Sequence, residues 1–295
     1  MKIGFIGLGN MGAPMAKNLS EAGHDVFGYD IAQISLHGIQ QVGNLEGASR
    51  GMEVVITMLP NGTILKDVYK EIVTFGSKNA IFIDCSTVDV ESAVTVAQLA
   101  KLNDIQPFDA PVSGGVVGAE AGTLTFMAGG NETTFNIIKP LFEIMGQKAV
   151  LCGKNGAGQA AKICNNMILG VSMIAVCEAF ALADELHLDR QKMFDVVSTS
   201  SGQCWSLNTY CPAAGIGPMS PSDNDYKPGF ASDLMLKDLT LAQTAANSKN
   251  VFTPMGNHAQ KLYSDFITKD GSGIDFSGII NFIKNNSRTT PLQYG

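Results

Sequence analysis

The chain is 295 residues long, 45% apolar and 16% charged, with a formal net charge of −7. That length sets a prior of about two domains with ample core material, and the acidic balance without any Lys/Arg cluster argues against a nucleic-acid surface. The first strand begins at Lys2, which leaves no room for a targeting peptide. The apolar run Met167–Cys177 is too short to span a bilayer and reads as a buried helix, so a soluble, cytoplasmic protein without membrane contact is expected.

Lys2-Ile3-Gly4-Phe5-Ile6 reads as a short apolar strand, followed by Gly7-Leu8-Gly9-Asn10-Met11-Gly12. Met11, Met15 and Leu19 then recur every four residues, the face of an amphipathic helix. Asp25–Asp30 returns as a second strand ending on a carboxylate. Strand, glycine turn, helix, strand and terminal acid in that order form a dinucleotide-binding unit. Gly7 permits the tight turn, Gly9 lets backbone approach a pyrophosphate, and Gly12 lets the helix pack on the sheet. The helix N-terminus offers free N–H groups to the phosphates. Asp30 is placed to bind a ribose 2′-hydroxyl and repel a 2′-phosphate, and neither Arg nor Lys follows in Ile31-Ala32-Gln33, so NAD is expected over NADP.

Further strands are expected at Val54–Leu59, Ala80–Ile83, Gln106–Asp109, Thr123–Ala128 and Lys148–Leu151. Helical patterns lie between most of them, which implies βαβ crossovers and a largely parallel sheet. Ligands of such sheets bind beyond the carboxyl ends of the strands, where Pro60, Thr87 and the residues after Asp109 fall. After about residue 155 the pattern is helical. One long helix runs from Gly158 to about His187, and shorter ones lie around 190–199, 232–247, 255–268 and 275–284. Ser200–Gly229 is rich in Gly, Pro, Ser and Asn and reads as a functional or mobile loop. Asn285–Gly295 reads as a frayed tail.

Cys85, Cys152, Cys164, Cys177, Cys204 and Cys211 form no CxxC pair, and His24, His37, His187 and His258 are scattered. Reduced thiols and no metal site are expected, with Cys204 and Cys211 the pair nearest to redox chemistry.

Three segments carry candidate chemistry. Asp109–Gly115 follows a strand and strings small residues together, so that exposed N–H groups and the Ser113 hydroxyl make a concavity suited to a carboxylate. In Gly156–Asn166, Lys162 and Asn166 are spaced i and i+4 and share a helix face, beside small and apolar neighbours. A lysine desolvated in such a setting can act as acid or base near neutral pH. Ala231–Leu239 is a helix start carrying Lys237 and Asp238 amid leucines, a pattern that a solvated face also explains.

In this order and spacing, Gly7–Leu19, Asp109–Gly115, Gly156–Asn166 and Lys237-Asp238 resemble the β-hydroxyacid dehydrogenase family. Ser200–Trp205 and Tyr226–Phe230 resemble its branch acting on 3-hydroxyisobutyrate. The resemblance runs from Ile3 to about Phe282. It implies a Rossmann-like, doubly wound, mostly parallel sheet over 1–157. It also implies a helical substrate and dimerisation domain over 158–295, beginning with a long interdomain helix, in a homodimer or homotetramer. It implies Lys162 as the catalytic base in oxidation and acid in reduction, and Asn166 as a substrate-holding partner. Ser113, Gly114 and Gly115 become the substrate-carboxylate loop, with Phe230 and Asp238 as further substrate contacts. The turn Gly7, Leu8, Gly9, Asn10, Met11 and Gly12, with Asp30, Leu59, Pro60, Ile64, Thr87 and Lys237, becomes the NAD site. Ile64 stands where some members have Asn and contributes packing only. The expected reaction is NAD-dependent oxidation of a small β-hydroxy acid. Tartronate semialdehyde, glycerate, serine and succinic semialdehyde are alternative substrates, and a non-catalytic NAD-sensing protein is the alternative of another class.

Overall fold

The computed structural model describes residues 1–287, and the chain divides into two compact units, Met1–Lys162 and a second beginning at Ile163. The first unit runs β1 (Lys2–Ile6), α1 (Gly12–Glu21), β2 (Asp25–Tyr29), β3 (Gln40–Gln41), β4 (Val54–Thr57), α2 (Gly62–Ile72), β5 (Ile81–Asp84), α3 (Val90–Leu102), β6 (Gln106–Asp109), β7 (Val112–Ser113), α4 (Gly115–Ala121), β8 (Leu124–Gly129), α5 (Glu132–Met145) and β9 (Gly146–Gly153). The described strands form one nine-stranded sheet in the order β3-β2-β1-β4-β5-β6-β8-β7, with β9 on β8. β1 to β6 pair in parallel, while β8 meets β6 and β7 antiparallel and β9 in parallel.

The two-faced burial follows from the period of a strand, in which successive side chains point to opposite faces. Ile3, Phe5, Val54, Ile56, Ile81 and Ile83 pack into one core. Ile6, Val55 and Phe82, at the alternate positions, pack into another with Leu65, Tyr69 and Ile72 of α2. Each fully buried Ile or Phe stabilises by about 1.5–3 kcal/mol relative to exposure. A sheet covered on both faces is doubly wound, as expected from the sequence. Several helices start where short polar side chains accept backbone N–H groups. Asn61, Asp89 and Asn131 cap α2, α3 and α5, satisfying donors that a helix start otherwise leaves open.

The helix α6 (Ala157–Glu185) begins in the first unit and continues into the second. Taken whole, with a mean hydropathy of 1.8 in its most apolar window, it is long and apolar enough to cross a bilayer. Here Met173, Cys177 and Phe180 instead form the core of the second unit with Met235, Leu239, Tyr263 and Ile279. That unit continues with α7 (Arg190–Val197), α8 (Trp205–Asn208), α9 (Ser232–Ser248), α10 (Pro254–Phe266) and α11 (Ile279–Ser287).

Several expectations are corrected. The 200–229 stretch contains α8 and a single 3-10 turn at Pro221–Asn224. It is tied down by Asp275, whose Oδ2 accepts from Tyr210 Oη (2.8 Å) and from the N–H groups of Gly229 and Phe230 (both 3.0 Å). Asn285–Ser287 belong to α11 rather than to a tail, and residues 288–295 lie outside the described residues. The last expected helix begins as a 3-10 turn at Phe276–Gly278.

Candidate active site

The glycine turn sits where β1 ends. Gly7 has φ 95 and passes so close to β4 that a Cβ there would lie 2.2 Å from the Met58 carbonyl oxygen. At Gly12 a Cβ would lie 1.9 Å from the Gly7 carbonyl oxygen, whereas at Gly9 it would meet nothing within 4 Å. Closed behind and open in front, the turn leaves the Gly9 backbone approachable. The first turn of α1 has neither a side-chain cap nor an acidic residue, so its N–H groups and positive dipole end suit an anion. Asn10 is exposed and Met11 half-buried. The Leu8 side chain is buried in the core at 2% exposure. Its N–H donates to Asp30 Oδ2 at 2.7 Å. Asp30 Oδ1 accepts from Ala32 N–H at 2.8 Å, which holds the carboxylate at the mouth of the turn.

The other expected cofactor positions follow the neighbouring strands. Leu59 and Pro60 lie two and three residues after β4, and Thr87 lies three residues after β5. Ile64 lies in the first turn of α2, its N–H on Asn61 Oδ1 and its side chain 40% exposed. The capping asparagine is thus three residues earlier, and Ile64 supplies only an apolar surface.

Beneath these loops runs a buried hydrogen-bond network that sequence reasoning missed. Leu59 N–H donates to Ser86 Oγ (2.7 Å), and Ser86 Oγ donates to Asp84 Oδ1 (2.6 Å), which also accepts from Thr57 Oγ1 (2.8 Å). Asp84 Oδ2 has no partner, and burial pushes this carboxyl up to about 7 against the pull of its donors. Asp109 pairs in register with Asp84 on the adjacent strand. Burial raises its pKa too, opposed by backbone donors at the start of α6. Its Oδ1 accepts from Gly156 N–H (2.7 Å) and its Oδ2 from Gln159 N–H (3.0 Å), so a strand-end carboxylate caps α6. The approach is close, since a Cβ on Gly158 would lie 2.1 Å from the Met127 carbonyl oxygen.

Lys162 comes one turn into α6 and is 6% exposed. Its Nζ donates to the Val112 carbonyl oxygen at 2.7 Å, one residue before Ser113. The structure thus brings the candidate base and the candidate carboxylate loop together within the first unit. In that loop Gly114 adopts φ 134 and Gly115 φ 63, which exposes the turn at the start of α4 and would strain any side chain placed there.

In the second unit Asn166 is buried, and its Nδ2 donates to Asp238 Oδ2 at 2.5 Å. Lys237 Nζ lies 3.6 Å from Asp238 Oδ1, so Asn166, Asp238 and Lys237 form one polar group bridging α6 and α9. Phe230 is half-buried and packs edge-on against Phe276 at 5.6 Å. Trp205, half-exposed, stacks on Tyr210 at 4.9 Å. All six cysteines are free, Cys211 buried and Cys204 half-buried. Among the described residues no three His, Cys, Asp or Glu side chains gather as a metal site.

Residues 2–153 match the model of the NAD binding domain of 6-phosphogluconate dehydrogenase. Residues 156–283 match the NAD-binding domain of NADP-dependent 3-hydroxyisobutyrate dehydrogenase. A probable 3-hydroxyisobutyrate dehydrogenase of Mycobacterium tuberculosis is 45% identical over 287 residues, covering 96% of this chain and 97% of that one. The chain belongs to the 3-hydroxyisobutyrate dehydrogenase family. A mitochondrial 3-hydroxyisobutyrate dehydrogenase of Drosophila melanogaster is 42% identical over 96% of this chain and 89% of its own. A solved M. tuberculosis 3-hydroxyisobutyrate dehydrogenase with L-serine superposes with a TM-score of 0.92 at 44% identity, covering 96% of this chain and 99% of that one. Membership makes the chain an oxidoreductase using a nicotinamide dinucleotide, and the open glycine turn, the uncapped α1 and Asp30 fit that cofactor.

Proposed function

We propose that this enzyme oxidises 3-hydroxyisobutyrate reversibly to methylmalonate semialdehyde, a step of valine breakdown, with NAD rather than NADP. The observation that carries the reading is the buried Lys162 Nζ on the Val112 carbonyl. It couples an acid–base group to the loop that receives a carboxylate. The name and the 42–45% identity of the relatives support the choice of acid.

A bound nicotinamide supplies the hydride acceptor. The chain's own residues do the rest. Ser113, Gly114 and Gly115 bind the substrate carboxylate through the hydroxyl and backbone N–H groups, which sets the primary alcohol toward Lys162. Lys162 Nζ, as the neutral amine, takes the proton from the hydroxyl oxygen as a hydride leaves the carbinol carbon, and returns it in the reverse direction. Asn166, oriented by Asp238, holds the substrate, and Phe230 excludes water. Gly7 to Gly12 and Asp30 hold the phosphates and ribose, while Leu59, Pro60, Thr87 and Lys237 line the cofactor. In this reading residues 1–157 carry most of the cofactor site and the carboxylate loop, and residues 158–295 supply Lys162, Asn166, Phe230, Lys237 and the dimerisation surface.

Assembly as a homodimer or homotetramer is part of the reading. It is supported by the exposed apolar side chains Ile168, Leu182, Phe252 and Met255 of the second unit. A cytoplasmic, reducing setting agrees with the free cysteines.

Initial rates of NAD reduction with 3-hydroxyisobutyrate, serine, glycerate and 4-hydroxybutyrate at equal concentration test the substrate. Preference for 3-hydroxyisobutyrate is expected, together with loss of several powers of ten in turnover for Lys162→Ala while NAD binding persists. Near-normal turnover of that variant overturns the mechanism. Serine is the second reading, because it is the ligand of the superposed M. tuberculosis enzyme.

A further inference from the structure

Gln159 is wholly buried and lies three residues before Lys162 on α6. Its side chain grips the segment after β5 on both sides of Thr87. The Val88 N–H donates to Gln159 Oε1 at 3.1 Å, and Gln159 Nε2 donates to the Ser86 carbonyl oxygen at 2.7 Å. One amide thereby donates to one backbone group and accepts from another two residues further on. The orientation is dictated, since a flipped amide would set oxygen against oxygen and NH₂ against N–H. Both ends of the grip are anchored. The Gln159 backbone N–H is held by Asp109 Oδ2, and Ser86 is held through its hydroxyl to Asp84 and to Leu59 N–H. From Thr87 to the Lys162 backbone the path is one amide and less than one helical turn, all within the first unit.

We propose that Gln159 is a positioning residue for hydride transfer, fixing the cofactor-lining Thr87 segment against Lys162. The inference rests on the assignment of Thr87 and Lys162 given above. Its physical content is that the hydride donor carbon, the proton acceptor and the ring-lining segment need a common frame. Here that frame is a single buried side chain that offers one donor and one acceptor at once. Ser, Thr or Met at position 159 cannot span both backbone groups. A glutamate does so only when protonated, with its carbonyl accepting from Val88 and its hydroxyl donating to Ser86.

The test compares wild type, Gln159→Met, Gln159→Glu and Lys162→Ala as full chains. The readouts are kcat and KM with substrate, the isotope effect on kcat with substrate deuterated at the carbinol carbon, and NADH affinity by titration. A displacement approaching 1 Å costs on the order of 10²-fold in rate, so Gln159→Met is expected to lose about 10- to 100-fold in kcat. Its isotope effect should rise as hydride transfer becomes more limiting, while NADH affinity stays, because phosphates and ribose are gripped elsewhere. Gln159→Glu is expected to regain activity relative to wild type as pH is lowered, when the carboxyl takes up its proton.

Wild-type kcat and isotope effect in Gln159→Met overturn the inference, including when only thermal stability has dropped. If Gln159→Met does not fold, a Gln159→Glu to wild-type activity ratio that is flat across pH overturns it instead. Full turnover in Lys162→Ala identifies a different failure, that of the active-site reading itself.

Discussion

The proposed preference for NAD rests on Asp30, whose geometry gives that preference a size. The carboxylate is fixed by the N–H groups of Leu8 and Ala32 at the end of β2, so it cannot swing away from a 2′-phosphate. Two unit charges about 4 Å apart at an effective dielectric near 20 repel by about 4 kcal/mol. Partial exposure of Asp30 halves this to about 2 kcal/mol, on the order of 30-fold. Asp30→Asn removes the charge; its amide oxygen still accepts from Leu8 N–H, while the bond from Ala32 N–H is lost. The variant is expected to gain about 30-fold in kcat/KM with NADP. It should lose about 5- to 10-fold with NAD, where a charged acceptor for the ribose hydroxyl becomes a neutral one. Steady-state rates with both cofactors at low and high salt provide the assay, and the wild-type discrimination should shrink with salt. The outcome is not foregone, since residues 156–283 match a domain described from an NADP-dependent enzyme. Equal use of both cofactors by wild type, or an unchanged ratio in Asp30→Asn, refutes the reasoning.

The buried Asp84 carboxyl, raised to about 7, holds a proton in the fold that the unfolded chain has already released. Stability is therefore greatest below the unfolded carboxyl range and falls as pH rises from about 4 toward 7, by up to about 1.4 kcal/mol per unit. Asp84→Asn should flatten that slope in urea titrations at a series of pH values, and a variant curve parallel to wild type refutes the assignment. Asp275→Ala strips the acceptor from Tyr210 Oη and from the N–H groups of Gly229, Phe230 and Ser277. At about 1–3 kcal/mol for each buried donor left unmet, it should cost on the order of 4 kcal/mol. The single tryptophan of the chain, Trp205, stacked on Tyr210, should change its emission in the folded variant, and an unmoved spectrum with wild-type stability contradicts this anchoring.

What was legible in the sequence was local. β1, the glycine turn, α1 and β2 are written in adjacent residues, and the periods of two and 3.6 are visible without knowing any partner. β3 and β7 escaped notice because two residues show no alternation, and they exist through pairing with β2 and β8. The antiparallel turn-back of β8 is set by the same distant contacts. The shared helix face of Lys162 and Asn166 is legible in their i, i+4 spacing. Gln159 stood in the same run of small residues without attracting a role, as its partners lie 71 and 73 residues earlier. Asp109 likewise reads as the end of a strand until α6 returns and its first N–H groups land on the carboxylate. A buried glutamine three residues before a candidate base was the available signal, and only tertiary structure gives it meaning. The expected loop contained the same difficulty, since Asp275, far along the chain, is what orders it.

The bond from Lys162 to the backbone beside Ser113 has an evolutionary consequence. In the proposed mechanism proton transfer and the grip on a carboxylate lie in the same folded unit, so they are inherited together. Mutations around Trp205 and Phe230 fall in the other unit and can drift without dismantling the reaction. A methyl group in a pocket is worth only about 1–3 kcal/mol, so few such changes separate one hydroxy acid from the next. A lineage with this arrangement can diversify its substrates while its chemistry stays put.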